Sequence, residues 1–500
     1  GQRSEAFRRR PARAVKRRTA RRPRRIASLF AWLKAISVRL GFGWGHNLKL
    51  GDAYRLGSTK VRVPLDGIPI EITLGLNDRR LHLYPETRLN PRGETIRLSS
   101  FIIFDPRTHL RRISGFLRLS PKSWLALGSG DATQQAMFDY PSAVDEQHLV
   151  VIYGRDALVF RNLSDAGTAI APMLDEVKSI RMSKLRRLRD IFGGPIEALA
   201  RDEALALIEA VIRLLRDEVY RPRDDRGLPG GLLILPPTVT PILVADLHAQ
   251  VDNLLTVLSQ NAFLEALEDG SAVLVILGDA VHSEVDGQLR EMVGSMVLMD
   301  LIFRLKLRFP EQVFYLRGNH DSFSEDIAKD GIPQGLLWAK ELSERRGTAY
   351  LKAMGEFYRL LPYVAVSPNF LASHAAAPKT KVSREMLVQI HRHPDLVLEL
   401  INNRLHRANR PQGYNRRDVK RFRRALQVDP KTPFIVGHTP IDREGTLWLN
   451  VDAIANHHVL FSAHPDQVGV FTLIDDTMVP LVYPVDALTP IINGLEGNAG

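Results

Sequence analysis

Groups of acidic, imidazole and amide residues recur through the second half of the chain, and each follows an apolar run. In chain order they are Asp246-Leu247-His248, Gly278-Asp279, Gly318-Asn319-His320-Asp321, Ser373-His374 and Gly437-His438-Thr439-Pro440. Any one of these groups arises often by chance, but together they form a strong signal. Carboxylate, imidazole and carboxamide ligands suit a divalent ion such as Mn, Fe or Zn better than Ca. The groups therefore predict a metal centre.

The apolar runs that precede these groups predict the strands that position them. The runs are short and rich in aliphatic and β-branched residues, and they cover 242–244, 272–277, 313–316, 370–371 and 434–436. Apolar residues at helical spacing lie between the first three runs: Leu254, Leu255, Leu258, then Leu289, Met292, Val293, Met296 and Val297. This alternation predicts a sheet that is at least partly parallel, with ligands collecting at the carboxyl ends of its strands.

An alternative is a doubly wound protein in which these Asp and His residues only cap strands and helices. Capping would account for one or two of the groups but not for all five. We therefore favour the metal centre.

The order of the groups resembles the calcineurin-like metallophosphoesterases, and within them the phosphoprotein phosphatase branch. That branch carries GDxHG, GDxVDRG, RGNHE, HGG and a late Gly-His or Ala-His. The matching stretches are Ala245-Asp246-Leu247-His248-Ala249, Gly278-Asp279-Ala280-Val281-His282-Ser283-Glu284, Arg317-Gly318-Asn319-His320-Asp321, His374-Ala375-Ala376 and Gly437-His438-Thr439. The resemblance covers roughly residues 240–485 and implies an α/β four-layer metallophosphoesterase sandwich.

The resemblance also implies roles for the matched residues. The implied metal ligands are Asp246 and His248 for the first ion, Asn319, His374 and His438 for the second, and Asp279 as the bridge between them. A hydroxide bound by the two ions would attack phosphorus in line. His320 would protonate the leaving oxygen, because an imidazole titrates near neutral pH.

The departures from the pattern concern the handling of substrate. Val281-His282-Ser283-Glu284 stands where the branch has VDRG, so the Asp that orients the general acid and an Arg that grips phosphate are both missing. His282 is either a surrogate cation for phosphate or a polar residue at a strand end. Arg317 and either Arg416 or Arg417 are further candidates for binding phosphate oxygens.

Three functions remain open from these residues. We favour a serine/threonine-phosphatase-like phosphomonoesterase acting on a phosphorylated substrate such as a phosphoprotein, because Pro440 replaces the second His of the GHxH found in many diesterases. The first alternative is a phosphodiesterase or nucleotide pyrophosphohydrolase. The second is a weakly active metal-binding scaffold, which the loss of VDRG would explain.

The first part of the chain predicts a basic arm. The net charge of +12 is concentrated in residues 1–39, where Glu5 is the only acidic residue. We predict that residues 1–25 are disordered and that an amphipathic helix follows at 26–40. The arm is either a solvated linker or a segment that attracts a polyanion or an anionic membrane surface. The helix is too short and too charged to span a bilayer.

Residues 49–172 change to short β-type segments at regular spacing, which predicts a β-sandwich. Leu127-Gly128-Ser129, Asp145-Glu146-Gln147-His148 and the stretch 162–168 resemble the loops of a forkhead-associated domain over roughly 95–172. Ser129 and Asp145 replace the Arg and Ser that usually bind phosphothreonine, and the acidic residues would repel phosphate. We therefore expect this region to contact a protein partner.

The predicted domain order follows from these changes in sequence pattern along the chain. It is a basic arm and helix at 1–48, the forkhead-associated-like sandwich at 49–172, a helical linker at 173–235, the metallophosphoesterase domain at 236–485 and a C-terminal tail at 486–500. The chain has no cysteine, which excludes disulfides and thiolate metal sites and is compatible with a reducing compartment. We expect a cytoplasmic protein, with possible membrane association through the arm.

Overall fold

The computed structural model describes most of the chain after the N-terminal arm. The described residues are 46–47, 54–56, 60–75, 80–89, 95–105, 116–130, 138, 140, 144–165, 167–172, 176–260, 262–443, 445–474, 477–485 and 487–495. The predicted basic arm at 1–25 and the predicted helix at 26–40 lie outside them. Residues 47–500 form one compact unit.

The N-terminal region is rich in β-structure, as predicted. Its strands are β1 (His46–Asn47), β2 (Tyr54–Leu56), β3 (Lys60–Pro64), β4 (Ile70–Leu74), β5 (Arg80–Leu89), β6 (Thr95–Phe104), β7 (Phe116–Leu119), β8 (Trp124–Leu127), β9 (Leu149–Tyr153), β10 (Ala157–Asn162) and β11 (Thr168–Pro172). β3-β10-β9-β8 are neighbours in one sheet and β2-β11-β4-β5-β6-β7 form another. The pairs β3/β10, β9/β10, β4/β11 and β4/β5 are all antiparallel.

Alternation along these strands explains why the two sheets pack together. In β3, Val61 and Val63 are buried, and in β4, Ile70 and Ile72 are buried, while the residues between them are partly exposed. Successive side chains of a strand point to opposite faces, so each strand offers one apolar face. Residues from both sheets share one core, which Phe160 of β10 also joins.

Two helices follow, α1 (Glu176–Phe192) and α2 (Arg201–Arg216). They belong to the stretch predicted as a helical linker, and their apolar residues enter the core of the C-terminal part. Leu188 of α1 and Val211 of α2 are buried there beside Ile242 and Leu298. The helices therefore form part of the layer that covers the sheet to which Ile242 belongs.

The C-terminal part alternates strands and helices. Its elements are β12 (Leu232–Ile234), β13 (Thr240–Val244), α3 (Val251–Ser259), α4 (Phe263–Glu268), β14 (Ala272–Ile276), α5 (Val293–Arg308), β15 (Val313–Tyr315), α6 (Gln334–Leu360), β16 (Val364–Val366), β17 (Leu371–Ser373), α7 (Arg384–Val388), α8 (Pro394–Asn402), α9 (Arg416–Ala425), β18 (Phe434–Val436), β19 (Leu447–Trp448), β20 (His457–Leu460), β21 (Gln467–Ile474), β22 (Thr477–Pro484) and α10 (Leu488–Asn493). Short 3₁₀ helices lie at Leu65–Gly67, Ile390–Arg392 and Val451–Ala453.

The predicted strands divide between two sheets. One has the order β15-β14-β13-β21-β22 and the other the order β12-β16-β17-β18-β20-β19. β13 pairs in parallel with β14, and β14 with β15, which confirms the partly parallel sheet. β17 and β18 are parallel to each other but belong to the second sheet. The strands that precede the predicted metal ligands therefore come from both sheets.

The two sheets pack face to face between layers of helices. Leu243 of β13 and Val275 of β14 lie in a core shared with Ile435 of the second sheet. Their neighbours Ile242 and Leu274 face the helices on the opposite side. On the far side of the second sheet, α9 packs on β18. Helix, sheet, sheet and helix thus form four layers.

The last helix, α10, completes the first helix layer. Leu488 and Ile492 of α10, in the stretch predicted as a tail, are buried in the core of the first helix layer. Among the described residues, no helix has the length and apolarity needed to cross a bilayer.

Candidate metal centre

The loops after β13, β14, β15, β17 and β18 carry the predicted ligands. Asp246 and His248 follow β13, and Asp279 follows β14. The remaining predicted ligands are Asn319 after β15, His374 after β17 and His438 after β18. The loops converge, and the structure brings the side chains of Asp279, Asn319 and His438 within 3.2 Å of His374 Nε2. His248 Nε2 lies 3.9 Å from Oδ1 of Asp246.

Backbone strain is concentrated in these loops. Asp246, His248, Asp279 and His438 have positive φ angles of 48°, 41°, 53° and 66°. Side chains make this conformation unfavourable, so it persists only where the surroundings enforce it. Here the His438 N–H donates to the two carboxylate oxygens of Asp246 at 3.0 and 2.9 Å. The His320 N–H donates to Oδ1 of Asp279 at 2.8 Å.

Two motif glycines allow the carboxylates to approach the backbone. A Cβ atom on Gly437 would lie 1.8 Å from Oδ2 of Asp246, and a Cβ atom on Gly318 would lie 2.1 Å from Oδ1 of Asp279. Any other residue at either position would displace the carboxylate. The close approach of the carboxylates thus explains why the third and fifth motifs need glycine at these two positions.

Each of the three histidine ligands is fixed by a backbone carbonyl. His248 Nδ1 lies 3.0 Å from the carbonyl of His282, and His374 Nδ1 lies 2.8 Å from that of Leu277. In His438 the two ring nitrogens exchange these roles, because it is Nε2 that lies 3.1 Å from a carbonyl, that of Asn402. A neutral imidazole that donates from one nitrogen keeps a lone pair on the other. Each carbonyl therefore favours, once the ring is neutral, the tautomer whose other nitrogen can bind a cation.

The donors form two groups that share one carboxylate. Asp246, His248 and Asp279 offer ligand atoms within 4.8 Å of one another, and so do Asp279, His374 and His438. His374 Nε2 lies 3.2 Å from Oδ2 of Asp279 and 3.0 Å from Oδ1 of Asn319, so the amide joins the second group. Two buried donor sets around one carboxylate fit a pair of divalent ions.

Electrostatics supports the same conclusion. Burial raises the pKa of Asp246. Burial would also raise that of Asp279, but the positive charge of His374 and His320 holds this pKa well below its usual range. Desolvation opposes the charging of His374, yet the carboxylates of Asp279 and Asp246 raise its pKa to about 9. A proton on His374 thus balances the carboxylates, a task that bound cations would take over.

His320 and His282 lie beside the ligands as a contacting pair. Their Nδ1 atoms are 2.9 Å apart, and the ring of His320 lies edge-on to that of His248, with centroids 5.0 Å apart. Desolvation lowers the pKa of His320 to about 4 and that of His282 well below its usual value. Burial thus favours the neutral ring of His282 in the ion-free protein, and its role as a surrogate cation for phosphate stays a prediction.

The predicted phosphate-binding arginines make other contacts or are exposed to solvent. Arg317 Nη1 donates to the carbonyl of Tyr358 at 3.1 Å. Arg416 is exposed at the first residue of α9, and Arg417 beside it is exposed as well. The described residues show no hydrogen bond from any of these side chains to the predicted ligands.

Arg404 is an arginine of the site that the motifs did not single out. Its Nη1 donates to the carbonyl of His438 at 3.1 Å and to Oγ1 of Thr439 at 3.3 Å. Burial and the neighbouring Arg410 lower its pKa. In the sequence it is one arginine among several after α8, and no spacing distinguishes it from the others.

Two acidic residues also have roles that the motifs did not assign. Glu284, at the last position of the altered VDRG motif, places Oε1 3.9 Å from His248 Nε2 and pairs with Lys329 at 3.0 Å. Burial would raise the pKa of Glu284, but His248 and Lys329 lower it. Asp321 accepts from the Gly318 N–H at 2.7 Å and so orders the loop that carries Asn319.

Comparisons with known proteins agree with this geometry. Residues 240–464 match the family model of calcineurin-like phosphoesterases. No curated protein matches the chain significantly.

Several solved structures are distantly similar. A protein serine/threonine phosphatase from Saccharomyces cerevisiae is 17% identical, with a TM-score of 0.42 over 58% of this chain and 90% of its own. A cold-active protein-tyrosine phosphatase of Shewanella is 15% identical, with a TM-score of 0.35 over 50% of this chain and 82% of its own. A metallophosphoesterase from Sphaerobacter thermophilus is 16% identical, with a TM-score of 0.25 over 50% of this chain and 88% of its own.

Proposed function

We propose that the protein hydrolyses phosphate monoesters as serine/threonine phosphatases do. The premise is that residues 240–464 are a calcineurin-like metallophosphoesterase domain and that the chain is a phosphoric ester hydrolase. The observation that carries this proposal is the carboxylate of Asp279, which two buried donor groups share. One carboxylate between two sets of ligands is suited to holding two ions close together.

The residues of the centre would hold two divalent ions. Asp246 and His248 would hold one ion, Asn319, His374 and His438 would hold the other, and Asp279 would serve both. The donor set of carboxylates, imidazoles and one amide favours Mn, Fe or Zn. When bound, such ions supply the Lewis acidity that polarises a phosphate ester and makes water a stronger acid. The protein's own contribution is to fix the ligands in advance through the carbonyl and backbone N–H contacts.

His320 is the proposed proton donor to the leaving oxygen. Its backbone N–H is tied to Asp279 and its ring contacts His282, so both its position and its orientation are fixed. In the ion-free protein desolvation keeps the ring neutral near pH 7, since its pKa is about 4. The charge of a phosphate dianion beside the ring favours the imidazolium. We therefore expect His320 to be protonated in the complex with substrate.

A paired assay tests the monoester preference. Purified full chain is supplied with Mn and assayed with p-nitrophenyl phosphate and, separately, with bis-p-nitrophenyl phosphate. The proposal predicts a higher kcat/KM for the monoester. A higher kcat/KM for the bis-ester would replace the proposal by the phosphodiesterase function. Metal-bound protein that hydrolyses neither ester would contradict phosphatase activity on simple esters.

We also propose that the N-terminal β-region is a forkhead-associated-like sandwich that contacts proteins without reading phosphate. Two of the loops that suggested the likeness contact each other, since His148 Nε2 lies 2.7 Å from the carbonyl of Gly167. Asp145 and Glu146 are exposed beside them and would repel phosphate. Calorimetry with paired threonine and phosphothreonine peptides tests this, because tighter binding of the phosphorylated peptide would contradict it.

A further inference from the structure

Positive charge is concentrated in and before α9, outside the predicted ligand set. Residues 404–424 contain nine arginines and lysines and one acidic residue, Asp418. Asp418 is used within α9 itself, because it forms a capping box with Asn415 and pairs with Arg421 at 2.8 Å. The other cations of this stretch therefore have no counter-ion within their own segment.

Four cations of α9 are exposed to solvent, and we call them the basic face of α9. They are Arg416, Arg417, Lys420 and Arg424. Among the described residues, none of these four side chains forms an ion pair or a hydrogen bond. Three of them follow one another at intervals of four residues, so they lie along one side of the helix. The basic face thus carries a row of uncompensated positive charges.

The helix that carries the basic face is firmly anchored. Val419 and Phe422 are buried in the core between α9 and the second sheet. Arg423 is turned inward, where its Nη2 donates to the carbonyl of Asn456 at 2.5 Å. The position of the exposed cations is therefore fixed in advance, and a partner that binds them has little ordering to impose on the protein.

Two contacts place α9 beside the loops of the metal centre. Arg421 Nη2 donates to the carbonyl of Lys379 at 2.6 Å, five residues after His374. Tyr414, which precedes the helix, donates its backbone N–H to the carbonyl of Arg404 at 2.9 Å. The guanidinium of Arg404 in turn contacts the fifth motif. α9 thus adjoins the segments that follow two of the predicted metal ligands.

The composition of the face favours an acidic peptide over other polyanions. A helix that binds a membrane surface presents apolar side chains to the lipid, and proteins that bind single-stranded nucleic acid stack its bases on exposed aromatic rings. The large apolar residues of α9, Val419 and Phe422, are both buried. A surface of cations alone instead suits carboxylates.

The spacing of the face also suits an extended peptide. Cβ atoms four residues apart in a helix are separated by about 6 Å. Alternate side chains on one side of an extended peptide are about 7 Å apart. Arg416, Lys420 and Arg424 can therefore meet carboxylates at every second residue of such a peptide.

We infer that the basic face of α9 binds acidic residues that flank the phosphorylated residue of a phosphoprotein, so that the protein prefers acidic phosphoprotein substrates. The inference rests on the proposed phosphatase function for its substrate. Each exposed ion pair contributes little, but several along one segment add together. The same charges also speed the encounter with an acidic partner.

Two phosphopeptides of equal length test the preference. Both contain one phosphoserine, with Asp at alternate positions on either side in one peptide and Ser at those positions in the other. kcat/KM is measured by phosphate release with Mn-loaded full chain, for the wild type and for Lys420→Glu/Arg424→Glu. The control, Arg213→Glu/Lys352→Glu, makes the same change of charge at exposed positions of α2 and α6, in the opposite helix layer.

The wild type and the control should prefer the acidic peptide about 3- to 10-fold, the range of a few exposed ion pairs. Lys420→Glu/Arg424→Glu should lose this preference but keep wild-type kcat/KM for the Ser peptide and for p-nitrophenyl phosphate. Lys420→Gln/Arg424→Gln should fall between the two, because it removes the attraction without adding repulsion. Added NaCl should reduce the wild-type preference, since salt screens exposed charges.

Equal kcat/KM of the wild type for the two phosphopeptides would overturn the inference. A preference that survives in Lys420→Glu/Arg424→Glu would overturn it as well. Tighter binding of anionic lipid vesicles or of a single-stranded oligonucleotide than of the acidic peptide, lost in the same variant, would assign the basic face to that partner instead.

A binding measurement separates the inference from the proposed function. If the Mn-loaded wild type hydrolyses neither phosphopeptide nor p-nitrophenyl phosphate, the proposed function fails. Fluorescence anisotropy with a labelled acidic peptide that lacks phosphate then decides the inference. Weaker binding to Lys420→Glu/Arg424→Glu than to the control supports it, and equal binding contradicts it.

Discussion

His282 and His320 face each other through like nitrogens, with their Nδ1 atoms 2.9 Å apart. One of these atoms must carry the proton that the other accepts. The Nε2 atom of His282 is buried without a hydrogen-bond partner. A proton there would be a buried unsatisfied donor, which is rarer in proteins than an unsatisfied acceptor. We infer that His282 donates from Nδ1, so that a neutral His320 carries its own proton on Nε2.

A carboxylate at position 282 should shift the pH profile. Burial, and after it the charge of His320, lowers the pKa of His282 well below its usual value, because two positive rings repel each other in one buried site. His282→Asp would favour the imidazolium of His320. A general acid works only while it is protonated, so the alkaline limb of kcat should move to higher pH, by about one unit. The profile is measured with p-nitrophenyl phosphate. His393→Asp, at the start of α8, is the control, and coincident profiles for all three proteins would contradict the pairing.

Loss of His320 should affect poor leaving groups most. His320→Ala should lower kcat by roughly 10²- to 10⁴-fold on phenyl phosphate, whose leaving oxygen needs a proton. The loss should be smaller on p-nitrophenyl phosphate, because p-nitrophenolate leaves readily without one. Metal content should stay at the wild-type level. An equal loss on both esters would show that His320 does not act as the proton donor.

Metal binding should release a proton and strengthen as the pH rises. The pKa of His374 is raised to about 9 in the ion-free protein, so its ring is charged at pH 7, whereas a ligand must be neutral. The raised pKa means that the proton stabilises the ion-free fold below about pH 6.5, the ordinary value, and that this stability is lost as the pH passes about 9. Calorimetry with Mn in two buffers of different ionisation enthalpy counts the proton. An affinity that does not change between pH 6 and 9 would contradict this assignment.

A buried ion pair between α5 and α6 should dominate the stability of that helix layer. Arg346 donates to Asp300 from Nη1 at 2.7 Å and from Nη2 at 2.5 Å, and both side chains are almost fully buried. Arg346→Ala leaves Asp300 charged and unpaired, which should cost about 3–5 kcal/mol of unfolding free energy. Chemical denaturation measures the loss. Arg345→Ala removes an exposed pair with Glu341 and should leave the unfolding midpoint nearly unchanged. Equal effects would contradict the assignment.

The strands and motifs of the centre could be predicted because their signals are local. In β14, Ala272–Ile276, every residue is buried, and the apolar run alone indicates this. Asp279 lies three residues after Ile276, so its place beyond the strand end could be predicted from the sequence. The same holds for His374 after β17.

Other features depend on contacts between distant parts of the chain. The division of β13 and β17 between two sheets requires antiparallel partners such as β21, which no local pattern reveals. His282 was left open between a cation and a polar residue, and its burial depends on Trp338 of α6, whose ring centroid lies 6.2 Å from that of His282. Arg404 has no motif of its own, because its contact with the His438 loop depends on where α8 ends.

The shared carboxylate of Asp279 is the most direct point at which to test the dinuclear centre. Metal content by mass spectrometry and turnover of p-nitrophenyl phosphate are measured on the wild type and on Asp279→Asn, with Asp330→Asn in an exposed loop as the control. We predict about two ions per chain in the wild type and the control. Asp279→Asn should lose bound metal and activity together. An Asp279→Asn protein that keeps both the wild-type metal content and wild-type turnover would contradict the account.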